Sequence, residues 1–558
     1  MMIKNRKKRD HACITAQCLA IVSIAALAAG TLAFADDDGP PHFFRGNLVV
    51  SRSVYDNNAS NIAKGTVLPP NCASTTGGCS APSGTPYDGT YPLVWNNNLY
   101  DGSFGITSKI FLDQISPTGH LFDTLEVPNT TQRPPDPTKE QMVTSFSSKS
   151  ELALNLSLDG RFLTFMGYVA PIDEIDVSNS NTPGAIDPTN PVGESVLRAV
   201  AQVDQSGRFH FTETNAYSGN NGRAAILNNT PGANFFYTAG NAGNGANPQP
   251  DGVILGAGAQ LIARQFKPEV EQAPGTPTPV ASFNVTQLGD KADKIGKDDN
   301  FRGMTIFNNV LYFTKGSGGN GVDTVYYVDP TGTTCPSGTG VPSRAVQLPT
   351  TPLTYNPGTL QTNGLPSNMC ILAGFTTVLA KNATTGFPFG LWFADENTLY
   401  VADEGDGFSK DATLFTHAAA QTTAGLQKWV RNGNTWNLAY TLQNGLNLGV
   451  PYTVSGYPTG NNPGTGLPWS PATDGLRNIT GTALGDFVTI WGITSTVSGN
   501  GDQGADPNQL VAIIDRLSNT DPAKAAGEKF FAVRSAGYAE VLRGVSFAPS
   551  STGFGDGQ

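Results

Sequence analysis

The sequence predicts an all-β fold, a single β-propeller of about six blades, from two observations: short strands separated by many turns, and a hairpin that recurs six times. With 64 Gly and 39 Pro in 558 residues and few helix-forming runs, the composition disfavours a helical protein. Leu48-Val49-Val50, Lys109-Ile110-Phe111-Leu112, Phe162-Leu163-Thr164-Phe165, Val310-Leu311-Tyr312-Phe313 and Leu510-Val511-Ala512-Ile513-Ile514 are rich in β-branched or aromatic residues. Between such runs lie tight-turn signals, among them Pro117-Thr118-Gly119, Asp159-Gly160, Gln205-Ser206-Gly207, Pro330-Thr331-Gly332 and Asn432-Gly433. Hairpin after hairpin implies antiparallel sheet.

The recurring hairpin begins at Leu152, Arg223, Arg302, Phe389, Arg477 and Arg543, at intervals of roughly 65 to 90 residues, wider than in short-blade propellers because the loops are long. The copy at Arg543 comes too near the end of the chain to complete a four-stranded sheet. Strands at Gly46–Ser51, Lys109–Leu112 and His120–Val127 supply what it lacks, so the N- and C-terminal strands are expected to share the closing blade and remove exposed edges. Seven blades, a β-sandwich pair and a β-helix are the alternatives.

The first nine residues carry Lys4, Arg6, Lys7, Lys8 and Arg9, an apolar stretch runs from Ile21 to Ala35, and Asp36-Asp37-Asp38 follows at once. That order is a secretory signal over 1–35, with 36–558 as the mature propeller, secreted or periplasmic. No later run is long and apolar enough to span a bilayer. Removal of 1–35 takes the formal charge from −11 to −15, which argues against non-specific nucleic-acid binding. Four cysteines remain, and in an oxidising compartment proximity pairs Cys72 with Cys79 and Cys335 with Cys370, one of three connectivities. Without CxxC, and with scattered histidines, the alternative of a zinc site has little support.

The phrases Gly46-Asn47-Leu48-Val49-Val50-Ser51-Arg52, Ser157-Leu158-Asp159-Gly160-Arg161-Phe162-Leu163-Thr164, Ala216-Tyr217-Ser218-Gly219-Asn220-Asn221 and Arg543-Gly544-Val545-Ser546-Phe547-Ala548-Pro549 resemble a group of secreted bacterial propeller proteins, mostly uncharacterised. The resemblance runs through most of the mature chain and implies a fold and a compartment, not a chemistry. This chain departs from the group by long insertions at 56–105, 172–195, 330–368 and 450–475.

In a propeller the first strand of each blade lines the channel and starts at one face, and the second strand returns there. Arg223, Arg302, Arg477 and Arg543 would thus ring one channel mouth, each two residues ahead of an inward-facing pattern: Ala225/Leu227, Met304/Ile306, Ile479 and Val545/Phe547. Arg52, Tyr168, Lys315 and the Asp403-Glu404-Gly405-Asp406 turn reach the same mouth from second strands. A ring of guanidiniums suits a carboxylate, sulfate or phosphate; the plainer expectation is that each arginine pairs with a neighbouring blade and fastens the ring. Asp403, Glu404 and Asp406 are candidate ligands for Ca²⁺, though the turn lacks a complete calcium loop and reads more simply as a solvated acidic turn. Insertions 56–105, 172–195 and 405–424 follow second strands and should build up that mouth.

There is no Gly-x-Ser-x-Gly elbow and no His-Glu-x-x-His. Gly316-Ser317-Gly318-Gly319 is a turn without a Walker lysine. His210, between Phe209 and Phe211, reads as a sheet-surface residue. The functional classes left open are recognition of a small anionic molecule or carbohydrate, a metal- or carboxylate-assisted hydrolase or lyase, and an envelope or matrix platform for protein partners.

Overall fold

The computed structural model describes residues 42–553 apart from 70–83, 90–104, 133–140, 242–257, 266–278, 286–299, 349–366 and several shorter stretches. The signal peptide expected over 1–35 and the expected Cys72–Cys79 pair lie outside the described residues. Six small antiparallel sheets stand in a ring. Blade 1 joins the two ends of the chain: Glu540–Phe547 is innermost, followed outward by Leu48–Val54, Thr107–Ile115 and Leu121–Glu126. The expected closure holds, with Leu48 opposite Phe547 and Val50 opposite Val545.

Blade 2 consists of Asn155–Leu156, Phe162–Tyr168, Arg198–Asp204 and Phe209–Thr214; blade 3 of Gly222–Asn228, Phe235–Gly240, Ala259–Ala263 and Pro279–Val285. Blade 4 is Phe301–Phe307, Val310–Lys315, Thr324–Val328 and Ser367–Leu372, and its outermost strand pairs in parallel with that of blade 3. Blade 5 is Pro388–Asp395, Thr398–Asp403, Gly425–Asn432 and Thr435–Leu442; blade 6 is Ala472–Leu484, Phe487–Val497, Gln509–Arg516 and Phe531–Ser535. All six hairpin copies read from the sequence start within an innermost strand or, at Leu152, just ahead of one.

The strands are nearly continuous apolar runs because both faces of each blade are covered. Val49, Ile110 and Leu112 of blade 1 meet Leu163 and Phe165 of blade 2, while Leu48, Val50 and Val545 point the other way, onto Trp491 and Ile493 of blade 6. Similar clusters fill the other interfaces. Each fully buried Val, Leu, Ile or Phe contributes about 1.5–3 kcal/mol of transfer free energy, so the interfaces, not the separate sheets, hold the ring together. His210 is exposed, as read. Cys335 and Cys370 form the expected disulfide, bridging the third-to-fourth-strand connection of blade 4.

The insertions pack together on the side where innermost strands begin. Tyr55, Ile62, Leu68 and Tyr87 share a buried cluster with Phe146, Tyr457 and Trp469, and Ile175 packs against it. The short helix Leu414–Ala419 joins through Leu414 and Ala418, which meet Leu467. Segments from 56–105, 172–195, 405–424 and 450–475 thus form one roof over that mouth.

Candidate functional site

Innermost strands touch in the order 1-2-3-4-5-6-1, and their beginnings define the roofed mouth. Here the sheets share an irregularity that the sequence does not display. The first ladder of blade 3 shifts at Arg223, that of blade 4 at Arg302-Gly303, that of blade 5 at Phe389-Gly390, that of blade 6 at Arg477-Asn478 and that of blade 1 at Arg543. Each is a β-bulge, an extra residue that bends the strand and re-aims a side chain. A bulge also breaks the strict alternation of a strand, and in blade 3 the expected step fails. Ile226 lines the channel, whereas Ala225 and Leu227 pack with Met166 and Val200 of blade 2.

Glycine after the bulged residue allows the next blade to come close. An added Cβ would lie 2.1 Å from the Phe389 carbonyl oxygen at Gly303, 2.5 Å from that of Arg477 at Gly390, and 2.3 Å from that of Leu152 at Gly544. The bulges are thereby linked into a hydrogen-bonded belt. Ser51 Oγ donates to Leu152 O at 2.7 Å, and Thr164 Oγ1 to Ala225 O at 2.5 Å. Arg223 Nη1 donates to Phe301 O at 2.6 Å, and Thr314 Oγ1 to Phe389 O. Arg477 Nε donates to Glu404 Oε2 at 3.3 Å, and Asn478 Nδ2 to Arg543 O at 2.8 Å, which returns the belt to blade 1.

The four predicted arginines do gather here, each at most 5% exposed. Glu404, at the exit of the second strand of blade 5, faces two of them: its Oε2 is 3.3 Å from Arg477 Nε and its Oε1 3.9 Å from Arg302 Nε. Arg302 also donates to Ser150 and Ser317, while its Nε is buried with no hydrogen-bond acceptor. Arg223 donates to Asn221 Oδ1 at 2.9 Å and to Asn300. Arg543 donates to Ser53 Oγ at 3.0 Å and to Phe146 O. Burial, and next the charge of Arg302, hold the Arg223 guanidinium well below its ordinary pKa; burial also lowers that of Arg302, against the pull of Glu404.

Glu151 is the second carboxylate of the mouth, fully buried. It accepts from Thr144 Oγ1 at 2.5 Å, from the Ser145 amide at 3.0 Å and from the Tyr168 hydroxyl. Burial, then this carboxylate, push the Tyr168 phenol well above its usual range. Lys315 is held by Asp323 at 2.6 Å. Arg52 stands apart, within blade 1, bound to Asp113 at 2.8 Å and Glu540 at 2.6 Å. Arg198, which was not singled out from the sequence, is buried under Tyr168 and donates to the backbone oxygens of Val196, Ser178, Ser180 and Asn220.

Asp403, Glu404 and Asp406 do not converge on a metal position, because successive residues leaving a strand point to different sides. Asp403 accepts from the Phe387 and Gly405 amides and from Gln427, with its pKa raised to about 6 by burial against those hydrogen bonds. Glu404 faces the arginines, and Asp406 meets His417 Nδ1 at 3.1 Å. Among the described residues the one set of three His, Cys, Asp or Glu side chains within metal-sharing distance is Asp329, Cys335 and Cys370, whose cysteines are bonded to each other. Below the belt, a cavity of about 300 Å³ follows the channel, lined by Leu156, Ile226, Ile306, Trp392, Ile479 and Phe547 among others.

Fold and ring together define a six-bladed β-propeller with a roofed, charge-lined mouth. No protein-family model and no curated protein matches the chain. Among solved structures it is similar to the acylaminoacyl peptidase of Pyrococcus horikoshii at 7% identity and a TM-score of 0.24, over 75% of this chain and 43% of the peptidase. The chain therefore spans less than half the length of that enzyme.

Proposed function

We propose that this chain is an exported recognition module whose roofed mouth binds a small anionic group, a carboxylate, sulfate or phosphate, borne by its ligand. The supporting observation is the gathering of four guanidiniums, those of Arg223, Arg302, Arg477 and Arg543, at the roofed mouth, where the buried Nε of Arg302 has no hydrogen-bond acceptor. A guanidinium presents its donors as a rigid fork, which suits the oxygens of such an anion. The belt supports the same reading, since it holds the arginines in place before any ligand arrives.

The experiment is a thermal-unfolding series with sulfate, phosphate, citrate and glucuronate at low millimolar concentration against chloride at matched ionic strength. A bound anion stabilises the folded state, by about 2.7 kcal/mol at one hundred times its Kd. The expected result is a rise in Tm with at least one anion, absent in Arg302→Gln; equal Tm in all of them refutes the anion site. Export is checked separately, by mature protein outside the cytoplasm beginning at Asp36.

A further inference from the structure

At the opposite end of the ring a second cavity, of about 560 Å³, opens between blades 4 and 5. Its walls are the Phe307–Val310 turn, Phe393 and Glu396 from the first hairpin of blade 5, Arg431 and Trp436 from its outer strands, and Val341–Ser343 from the disulfide-bridged connection. Phe307 and Phe393 are stacked, with ring centroids 4.6 Å apart and planes 6° from parallel. Tyr312 and Trp436 flank Phe393 at 4.7 and 5.9 Å. On the rim, Asn308 and Asn309 turn in the left-handed region at φ 49 and 58, leaving both amides exposed, and Asn308 Nδ2 lies 3.4 Å from Glu396 Oε1. Trp436 is buried, yet its Nε1 has no acceptor.

We propose that this cleft binds a saccharide. A sugar ring has an apolar C–H face and an edge of hydroxyls, each both donor and acceptor. The aromatic cluster matches the face. The two asparagine amides, Glu396 and Arg431 match the edge. Glu396 and Arg431 offset each other in charge, so the rim favours a neutral ligand over an anion. The volume falls inside the roughly 300–1,000 Å³ of small-molecule sites. This inference does not rest on the arginine mouth, since the two sites share no residue.

The full chain is titrated with the methyl glycosides of glucose, galactose, mannose and N-acetylglucosamine and with their disaccharides, followed by tryptophan fluorescence and saturation-transfer NMR. At least one sugar is expected to bind saturably. Glu396→Gln and Trp436→Phe each weaken it tenfold or more, Asn309→Gly weakens it less, and exposed His210→Ala on blade 2 leaves it unchanged. Glu396 is exposed, so its variant decides the matter where Trp436→Phe unfolds. No binding by any of these sugars, or wild-type affinity in a folded Glu396→Gln, overturns the proposal.

Discussion

The two ends of the propeller solve opposite problems with the same strands. At the roofed end, bulged residues crowd guanidiniums and carboxylates into a buried belt, and polar groups join one blade to the next. At the other end, the first hairpin turns of blades 4 and 5 diverge around aromatic rings and leave an open cleft. Charge fastens the first end, while the second is held by apolar packing and a disulfide. The contrast shows that an arginine's place on an innermost strand does not by itself make it a ligand contact. A bulge that turns it toward the neighbouring blade also makes it part of the frame.

Glu404→Gln probes that contrast most strongly. It leaves Arg302 and Arg477 facing a neutral amide in a buried setting, and removing one partner of such a cluster costs about 3–5 kcal/mol. Urea unfolding should show that loss; a variant as stable as the parent would mean that the belt's backbone hydrogen bonds suffice. Opening the Cys335–Cys370 bridge with serines has the next largest effect, a loss of about 2–4 kcal/mol for a separation of 35 residues. Because the bridge lies at the open end, saccharide binding should weaken while anion-dependent stabilisation at the roofed end persists. Loss of both together would show that the two ends are coupled.

The smallest expected effect lies in the roof. Burial, and next the charge of Asp56, raise Asp173 to about pKa 6. A carboxyl raised in the folded state adds its stability fully below the unfolded value near 3.8, and that contribution is lost as pH rises through about 6. Asp173→Asn should therefore flatten the pH dependence of stability between pH 4 and 6 and stabilise the protein at pH 7 by less than about 1 kcal/mol. Denaturant midpoints at pH 4, 5, 6 and 7 measure it, and an unchanged slope in the variant contradicts the assignment.

Much of the frame was legible in the sequence, because each innermost strand repeats a local pattern: Arg302-Gly303-Met304 and Arg543-Gly544-Val545 announce themselves without a partner. Closure of blade 1 was legible for the same reason, since the copy at Arg543 lacked following strands. The bulges were not legible, because an extra residue is defined only against the strand it fails to pair with. Glu404 was noticed as an acidic turn residue and read as a candidate metal ligand. Its position between Arg302 and Arg477 depends on blades 4 and 6, since Arg302 lies 102 residues before it and Arg477 73 after it. The cleft was invisible for the same cause: Phe307, Phe393 and Trp436 each look like ordinary core residues until the hairpins are side by side.

The shared blade also sets an order of events in folding. Ser53 receives its hydrogen bond from Arg543, 490 residues further along the chain. Contacts so distant in sequence form late, because the entropy of closing the loop must be met before they contribute. Until Glu540–Phe547 arrives, Leu48–Val54 presents one unpaired edge, and Leu48 and Val50 face no completed interface. An open edge of that kind is a template for pairing with another chain. Among the described strands, the first to be synthesised is thus the last to be completed, and the interval between the two is when this protein is most exposed to aggregation.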